Sequence, residues 1–347
     1  MSSSKRKTRN DKIREFIGVP DRKRRNVNPE PEDKEDEQQG SQRSTGPAHS
    51  DPDLETEMGP TYLDGEMPSY NFISKLAREC LLNGYKLGTW RFDCNSELSE
   101  DLRIYSFGAG SSNTVMGGFE FNEKFGMFQF SQAFRTDGLY GTLGVRSEIF
   151  EGLGLSKLRA IYKKDEQGDS SGLTLDVQAA LEFDPFKIEA MAPIINGSLL
   201  SSYILYEPTE TWLFSFGVVA DIHQMKLPKY EFGVGYRSEE DDTELGLMFA
   251  NLKNVKASIF QRVTNNTALA LMANMNDWQD LQISVGGQYE LDEEHLIKAR
   301  ICNTGYAGVV YQFEINENCT FSCHVGLNVM QPTDGSHAFG VACSLSG

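Results

Sequence analysis

Long alternating segments fill the chain from about residue 85 to its end. In residues 173–184 every odd position is apolar and most even positions are polar, and the same alternation recurs in residues 212–223, 281–292 and 319–329. Successive side chains of a β-strand point to opposite faces, so a period of two indicates strands with one apolar face and one polar face. No second helical pattern interrupts these segments.

The length of this region gives a strand count and a closed architecture. Residues 85–347 accommodate about nineteen strands if each strand takes about 10 residues and each turn about 4. A soluble sandwich of so many strands would need shorter strands and would leave exposed edges. Apolar residues on one face and small or polar residues on the other fit a barrel with lipid outside and water inside. The sequence therefore predicts an all-β transmembrane barrel over residues 85–347.

One helix is predicted before the barrel, over residues 67–84. Ser69 is a plausible N-cap and Gly84 a plausible end. A stripe of apolar residues at helical spacing follows Ser69, and such a stripe packs on a core, which here must be made of strands. The stripe includes Phe72, Ile73, Leu76 and Cys80.

Charge is distributed unevenly along the chain, whose net charge is −17. Residues 1–25 hold ten Lys/Arg and three Asp/Glu, whereas residues 26–66 hold two and twelve. Two basic clusters near the start could be a nuclear address or a nucleic-acid arm. Because acidic sequence rich in Pro, Ser and Gln follows directly, residues 1–66 are instead predicted to be a disordered extension without a nucleic-acid partner. Residues 67–347 then carry −14.

Several classes of protein are excluded by what the sequence lacks. It has no run of about 18 apolar residues and no cleavable signal peptide, so no transmembrane helix is predicted. The six cysteines form no CxxC pair, and Cys319, Cys323 and Cys343 are interpreted as small apolar residues rather than as a disulfide or metal set. No catalytic arrangement is recognisable. We therefore expect no enzyme activity, no cofactor and no metal.

A family signature lies in residues 289–311. The residues that fall at the spacing of the eukaryotic porin pattern are Tyr289, Asp292, Ala299, Arg300, Ile301, Asn303, Gly308, Val309 and Tyr311, whereas Glu293, His295 and Cys302 depart from it. The final residues resemble the assembly signal of mitochondrial barrels, with His337 (one place early), Gly340, Cys343 and Leu345 at its positions. Residues 70–347 thus resemble the mitochondrial porin superfamily, which holds the voltage-dependent anion channel and the channel subunit of the outer-membrane translocase.

The resemblance implies a barrel of nineteen strands in the mitochondrial outer membrane, with a helix inside or beside the pore. An odd count makes the first and last strands pair in parallel, here near residues 85–94 and 339–345. Two features favour the translocase subunit: the long N-terminal extension, and the segment "GLGLSKLRAIY" followed by "LDVQAALEFDPFKIEAMAPIINGSLLSSY", with Lys157, Asp176 and Asp184 at matching places. So does the barrel charge, because a negative channel favours cations and basic peptides.

The function predicted from these features is a protein-conducting channel that passes unfolded preproteins with basic presequences. Its partners would be those preproteins, other translocase subunits, membrane lipid, the barrel-assembly machinery and further copies of the chain. The alternative is a metabolite porin like the voltage-dependent anion channel, which should be anion-selective. A soluble β-rich interaction protein is the remaining interpretation.

Residues on the polar face of each strand are the candidate site. The predicted luminal acids, interpreted as weak presequence contacts, are Glu120, Asp176, Glu182, Asp184, Glu189, Asp221, Glu231, Glu244, Glu290 and Glu314. The predicted luminal basic residues are Lys157, Lys298 and Arg300. The alternative for any single acid is that a luminal position is simply wet and tolerates charge.

Overall fold

The N-terminal extension lies outside the part of the chain that can be described. The structure, a computed structural model, describes residues 65–85, 89–110, 115–149, 152–164, 171–238, 242–330, 332 and 337–347. Of the predicted extension over 1–66, only Gly65 and Glu66 fall within these ranges. No helix in the described residues is long and apolar enough to cross a membrane.

The described residues after Thr89 form nineteen strands in one sheet. The strands are β1 (Trp90–Glu97), β2 (Leu102–Gly110), β3 (Val115–Phe125), β4 (Phe128–Arg135), β5 (Gly138–Ile149), β6 (Gly152–Lys164), β7 (Ser171–Phe183), β8 (Phe186–Ile195), β9 (Leu199–Thr209), β10 (Trp212–Asp221), β11 (Lys226–Ser238), β12 (Thr243–Ala250), β13 (Asn254–Thr264), β14 (Thr267–Asn276), β15 (Asp280–Glu290), β16 (His295–Cys302), β17 (Tyr306–Asn316), β18 (Cys319–Asn328) and β19 (Ala338–Ser346).

The sheet closes on itself through its first and last strands. β1 pairs with β19 in parallel, from Trp90 opposite Val341 to Asn95 opposite Ser346. All other neighbouring strands pair antiparallel and in chain order. Closure leaves no free edge, so the backbone hydrogen bonds are made within the wall, as a bilayer requires. The predicted strand count and the parallel closure are both confirmed.

Side-chain exposure follows the alternation predicted from the sequence. In β7, Leu173 and Leu181 are 42% and 39% exposed, whereas Asp176 and Glu182 are 5% and 4% exposed. The apolar residues face outwards, where lipid would cover them, and the polar residues face the lumen.

The N-terminal segment lies inside the barrel but is not one continuous helix. A single 3-10 turn, Tyr70–Phe72, precedes the helix α1, Lys75–Leu81. The prediction of a helix over residues 67–84 was therefore too long. Ser74 separates the two pieces with φ of +66°, in the left-handed region, which ends regular helix geometry. Ser69 makes no side-chain capping hydrogen bond.

Close packing against the wall explains this break. The Ser74 hydroxyl lies 2.6 Å from that of Ser258, and a Cβ at Gly246 would lie 2.2 Å from Ser74 Oγ. The chain therefore reaches the wall only because position 246 lacks a side chain. Beyond the break, α1 buries an apolar face against the inner surface of β13 and β14; the residues in this core are Leu76, Ala77, Cys80, Leu81, Phe260, Ala268, Ala270 and Met272.

Candidate functional site: the barrel lumen

The lumen has two unlike surfaces, which we call the covered wall and the open wall. The covered wall is the inner face of β7–β18, against which residues 65–85 lie; α1 contacts β13–β16. The open wall is the inner face of β1–β6. Because the strands follow chain order around the barrel, β5 stands half-way round from β14.

A carboxylate of the covered wall caps the helix. Glu244 of β12 accepts hydrogen bonds from the backbone N–H groups of Leu76 and Ala77, at 2.9 and 3.4 Å. These donors belong to the first turn of α1, where a helix has no partners of its own and where negative charge is favourable. Glu244, one of the predicted presequence contacts, thus holds the chain's own helix.

The other end of the segment is held by cations of the wall. Lys298 Nζ donates a hydrogen bond to the Glu79 carbonyl at 3.0 Å. The guanidinium of Arg300 lies between the rings of Tyr85 and Tyr306, 4.7 Å from each centroid. Cation–π contacts of this kind stabilise a buried guanidinium. Two of the three predicted luminal basic residues therefore fix the N-terminal segment.

Burial changes the acid–base behaviour of this segment. Removal from water raises the pKa of Glu79 to about 7, against the opposing effect of the nearby Lys75 and Lys298 ammonium groups. Burial likewise raises the pKa of the Cys80 thiol to about 11. The Glu79 carboxyl therefore changes between its neutral and ionised forms as pH passes through about 7.

A buried charge cluster marks where the chain enters the barrel. Lys187 Nζ contacts Glu182 at 2.8 Å and Glu189 at 3.0 Å and donates to the Met67 carbonyl at 3.1 Å. Glu182 also accepts a 2.6 Å hydrogen bond from the Glu66 N–H. One ammonium thus faces two carboxylates, and the backbone of residues 66–67 bonds to both Lys187 and Glu182, which offsets part of the cost of removing these charges from water.

Most of the predicted luminal acids have partners built into the fold. Asp176 pairs with Arg159 at 2.8 Å, and Glu290 contacts Arg262 at 3.3 Å. Glu231 contacts Lys229 at 2.7 Å. In the open wall, Glu120 accepts from the Ser131 hydroxyl at 3.1 Å. Glu314 also faces inwards, from β17. Asp176, Glu231 and Glu290 are therefore matched by cations of the wall, and contact of the luminal acids with presequences stays a prediction.

Two predicted luminal acids lie at or beyond a strand end. Asp184 lies in the exposed turn between β7 and β8, and Asp221 is the last residue of β10. The Asp221 carboxylate accepts hydrogen bonds from the N–H groups of His223 and Gln224, both at 2.9 Å. Placing Asp184 on the inner wall was wrong because strict alternation was extended past the end of β7, where Asp is a common turn residue. Asp221 keeps the inward register of Leu213, Ser215 and Val219 at the end of β10.

The open wall carries more cations than carboxylates, and ion pairs join Arg91 to Asp93, Arg103 to Glu97, Arg135 to Glu120, Arg146 to Glu66, Arg159 to Asp176 and Lys163 to Asp137. Its inward-facing charged residues are Arg91, Asp93, Glu97, Arg103, Glu120, Lys124, Arg135, Arg146, Glu148, Lys157, Arg159 and Lys163, which are eight cations and four carboxylates. Aromatic rings accompany them: the Arg135 guanidinium lies 4.6 Å from the Tyr140 ring and 5.8 Å from that of Phe107. The predicted luminal Lys157 belongs to this surface. The other cations were not singled out from the sequence.

The barrel's negative charge is concentrated instead in the turns of one mouth. We call this end, formed by the β1–β2, β3–β4 and later odd-to-even turns, the acidic mouth. Its described turn residues include no Lys or Arg and nine acids, which are Glu100, Asp101, Asp184, Glu210, Asp242, Asp292, Glu293, Glu294 and Glu317. At the opposite mouth the described turns carry only Asp137, Lys253 and Asp277.

The predicted assembly signal lies at the closing seam. In β19, Gly340 is buried and faces inwards opposite His324, while Cys343 faces outwards opposite Phe321. Leu345 lies beside Cys94 of β1. His337 precedes the strand. The role of these residues in assembly stays a prediction.

Comparison with known proteins assigns the chain to a family. The model of the eukaryotic porin family matches residues 66–340. The chain belongs to this family. A voltage-dependent anion-selective channel of Drosophila melanogaster is 24% identical over 288 residues, which cover 80% of this chain and 98% of that protein. The non-selective voltage-gated ion channel VDAC2 of Xenopus laevis is 24% identical over 300 residues, with the same two coverages.

Similarity to solved structures is weaker. A mutant of the Rh. blastica porin aligns with a TM-score of 0.47 and 8% identity, over 62% of this chain and 90% of that one. The family places the protein in the mitochondrial outer membrane as a β-barrel channel without enzymatic activity, as the sequence resemblance implied. The import function, by contrast, has no support in these matches.

Proposed function

We propose that the protein is a porin of the voltage-dependent anion channel type, which passes small anionic solutes along its open wall. The observation that carries the proposal is that cations outnumber carboxylates, eight to four, on the inner face of β1–β6, while Arg146 and Arg159 take their acidic partners, Glu66 and Asp176, from outside that face. Like charges gathered on one side of a low-dielectric channel raise the local concentration of the opposite ion. The similarity to anion-selective and ion-channel relatives supports the same conclusion.

The net charge of the barrel does not argue against an anion path. The −14 carried by residues 67–347 includes the nine acids in the turns of the acidic mouth and the acids of the covered wall. Charges there are screened over about 10 Å at 0.1 M salt or paired within the fold. The solutes respond to the surface that they pass, and that surface is the open wall.

The test is a reversal potential across a planar bilayer with a KCl gradient. The wild-type barrel should show preference for chloride. Lys157→Glu with Lys163→Glu, both facing inwards from β6, should move the reversal potential towards cation preference. The control is Lys226→Glu with Lys253→Glu, which changes the net charge equally but outside the open wall, at the start of β11 and in the turn between β12 and β13. A cation-selective wild-type channel would overturn the proposal.

The acidic mouth favours a second candidate, the passage of preproteins with basic presequences. Nine acids on exposed turns would attract a polycationic peptide from one side. A basic presequence should then block the pore more often from that side, and Asp292→Asn with Glu293→Gln and Glu294→Gln should reduce the frequency. Asp137→Asn with Asp277→Asn is the control at the other mouth. Equal blocking from both sides, unaffected by the triple change, would remove this candidate.

A further inference from the structure

Four of the six cysteines gather on the outer face of the closing seam. Cys94 lies in β1, Cys319 and Cys323 in β18, and Cys343 in β19. By register they share the outward face with Val341 and Leu345. All six cysteines are free thiols in the structure. The channel function makes no use of this group.

Two of these thiols touch. Cys319 Sγ lies 4.0 Å from Cys343 Sγ. The register alone allows three partners for Cys343, because Cys319 and Cys323 of β18 and Cys94 of β1 are its diagonal neighbours on the outer face. The side-chain positions select Cys319.

We propose that Cys319 and Cys343 form a peroxide-sensitive thiol pair that links β18 to β19 across the membrane-facing surface. The reaction is balanced with one hydroperoxide. One thiolate attacks the peroxide, whose O–O bond breaks, giving a sulfenic acid and water; the second thiol then attacks the sulfenic sulfur, forms the S–S bond and releases a second water. Both sulfurs are oxidised and the peroxide is reduced.

The pair is placed where such an oxidant can reach it. Cys319 directly follows the exposed turn of Glu317 and Asn318, at the acidic mouth. Hydrogen peroxide is small and neutral, so it enters the interfacial region without the cost of burying a charge. The link would connect β18 to β19, the strand that closes the barrel against β1, so oxidation would fix the closing strand to its antiparallel neighbour.

The test uses the full-length protein in membranes, treated with hydrogen peroxide and then alkylated. Mass spectrometry of the digest without reduction should find the peptide of Cys319 linked to that of Cys343, and dithiothreitol should release it. The linked peptide should be lost in Cys319→Ser and kept in Cys323→Ser and Cys94→Ser.

The linkages found in the wild-type protein decide the question even if a variant does not insert into the membrane. Linkage of Cys343 to Cys323 or Cys94, a link between two copies of the chain, or full alkylation of both thiols after peroxide treatment would each overturn the proposal. The double-serine variant should conduct as the wild type does, because neither side chain faces the lumen.

Discussion

At the scale of single residues, the lumen is organised by a few side chains that bind the chain's own N-terminal segment. Glu244, Lys298 and Arg300 have the charges expected of pore-lining residues, yet each contacts the backbone or rings of residues 76–85. Their parity could be read from the sequence. Their partner could not, because it lies more than 160 residues away and meets them only when the barrel has closed.

Docking of the segment should depend on pH through Glu79. Its pKa is raised from 4.5 to about 7, so the contribution of this group to docking is complete below pH 4.5 and is lost as pH rises through 7. The charged groups near it are Lys75, Lys298, Glu244 and Arg237. We expect buried Cys80 to react faster with a hydrophilic maleimide in the wild type than in Glu79→Gln at pH 8.

The ratio of the labelling rates of the wild type and Glu79→Gln, taken at each pH, cancels the pH dependence of the reaction between thiol and maleimide. Near pH 5 both should label at similar rates, since Glu79 is then neutral and resembles Gln. A constant ratio from pH 5 to pH 8 would show that Glu79 does not control docking.

At the scale of elements, the N-terminal segment and the closing strand each depend on a particular register. The segment reaches the wall where glycines leave room: added Cβ atoms at Gly233 and Gly286 would lie 2.7 and 2.8 Å from Ile73 and Leu81. Successive residues of the closing strand, β19, face lipid and lumen in turn. A shift of one residue in its pairing would therefore exchange the two faces.

Gly246→Val should displace the segment and leave the barrel intact. Its Cβ would lie 2.2 Å from Ser74 Oγ, so Ser74 must move and Glu244 should lose its hydrogen bonds to α1. We expect rapid maleimide labelling of Cys80 with unchanged resistance of the protein to carbonate extraction. Gly141→Val is the matched control, because nothing lies within 4 Å of its added Cβ. Slow labelling in the Gly246 variant would show that the wall adapts.

A charge on the outer face of β19 should hinder assembly. Val341 stands between Trp90 and Cys323 on that face, so Val341→Lys should cost about 2–4 kcal/mol near the bilayer midplane. Ala342→Lys places the same charge on the inner face and should be tolerated. The measurement is the fraction of each variant that becomes resistant to carbonate extraction; equal fractions would show that the register is wrong.

At the scale of the whole molecule, charge is sorted by position. Cations outnumber carboxylates on the open wall, most carboxylates of the covered wall contact a cation or the N-terminal segment, and the described turns of the acidic mouth hold nine acids and no Lys or Arg. A net charge summed over the barrel, which favoured a cation path, averages these surfaces. Selectivity depends on the surface nearest the moving ion, because electrostatic effects decay over the screening length.

Anion preference should therefore weaken as salt rises. The screening length falls from about 10 Å at 0.1 M to about 3 Å at 1 M, which confines the field of the open wall to a thin layer. The reversal potential, measured at a fixed concentration ratio across the bilayer, should move towards zero as both solutions are concentrated. A potential independent of salt would indicate that selectivity arises at a narrow binding site instead.

The sequence by itself determined the barrel, its nineteen strands, its parallel closure and the face of nearly every strand, because alternation is a local property and closure follows from an odd count. Only the tertiary structure decided where the N-terminal helix breaks. It also decided which luminal carboxylates contact that helix or a cation of the wall, and on which side of the lumen cations are in excess. Those properties arise from contacts such as Ser74 with Ser258 and Lys187 with residues 66–67. These contacts join parts of the chain that are distant in sequence and come together only in the closed barrel, so no local pattern of residues predicts them.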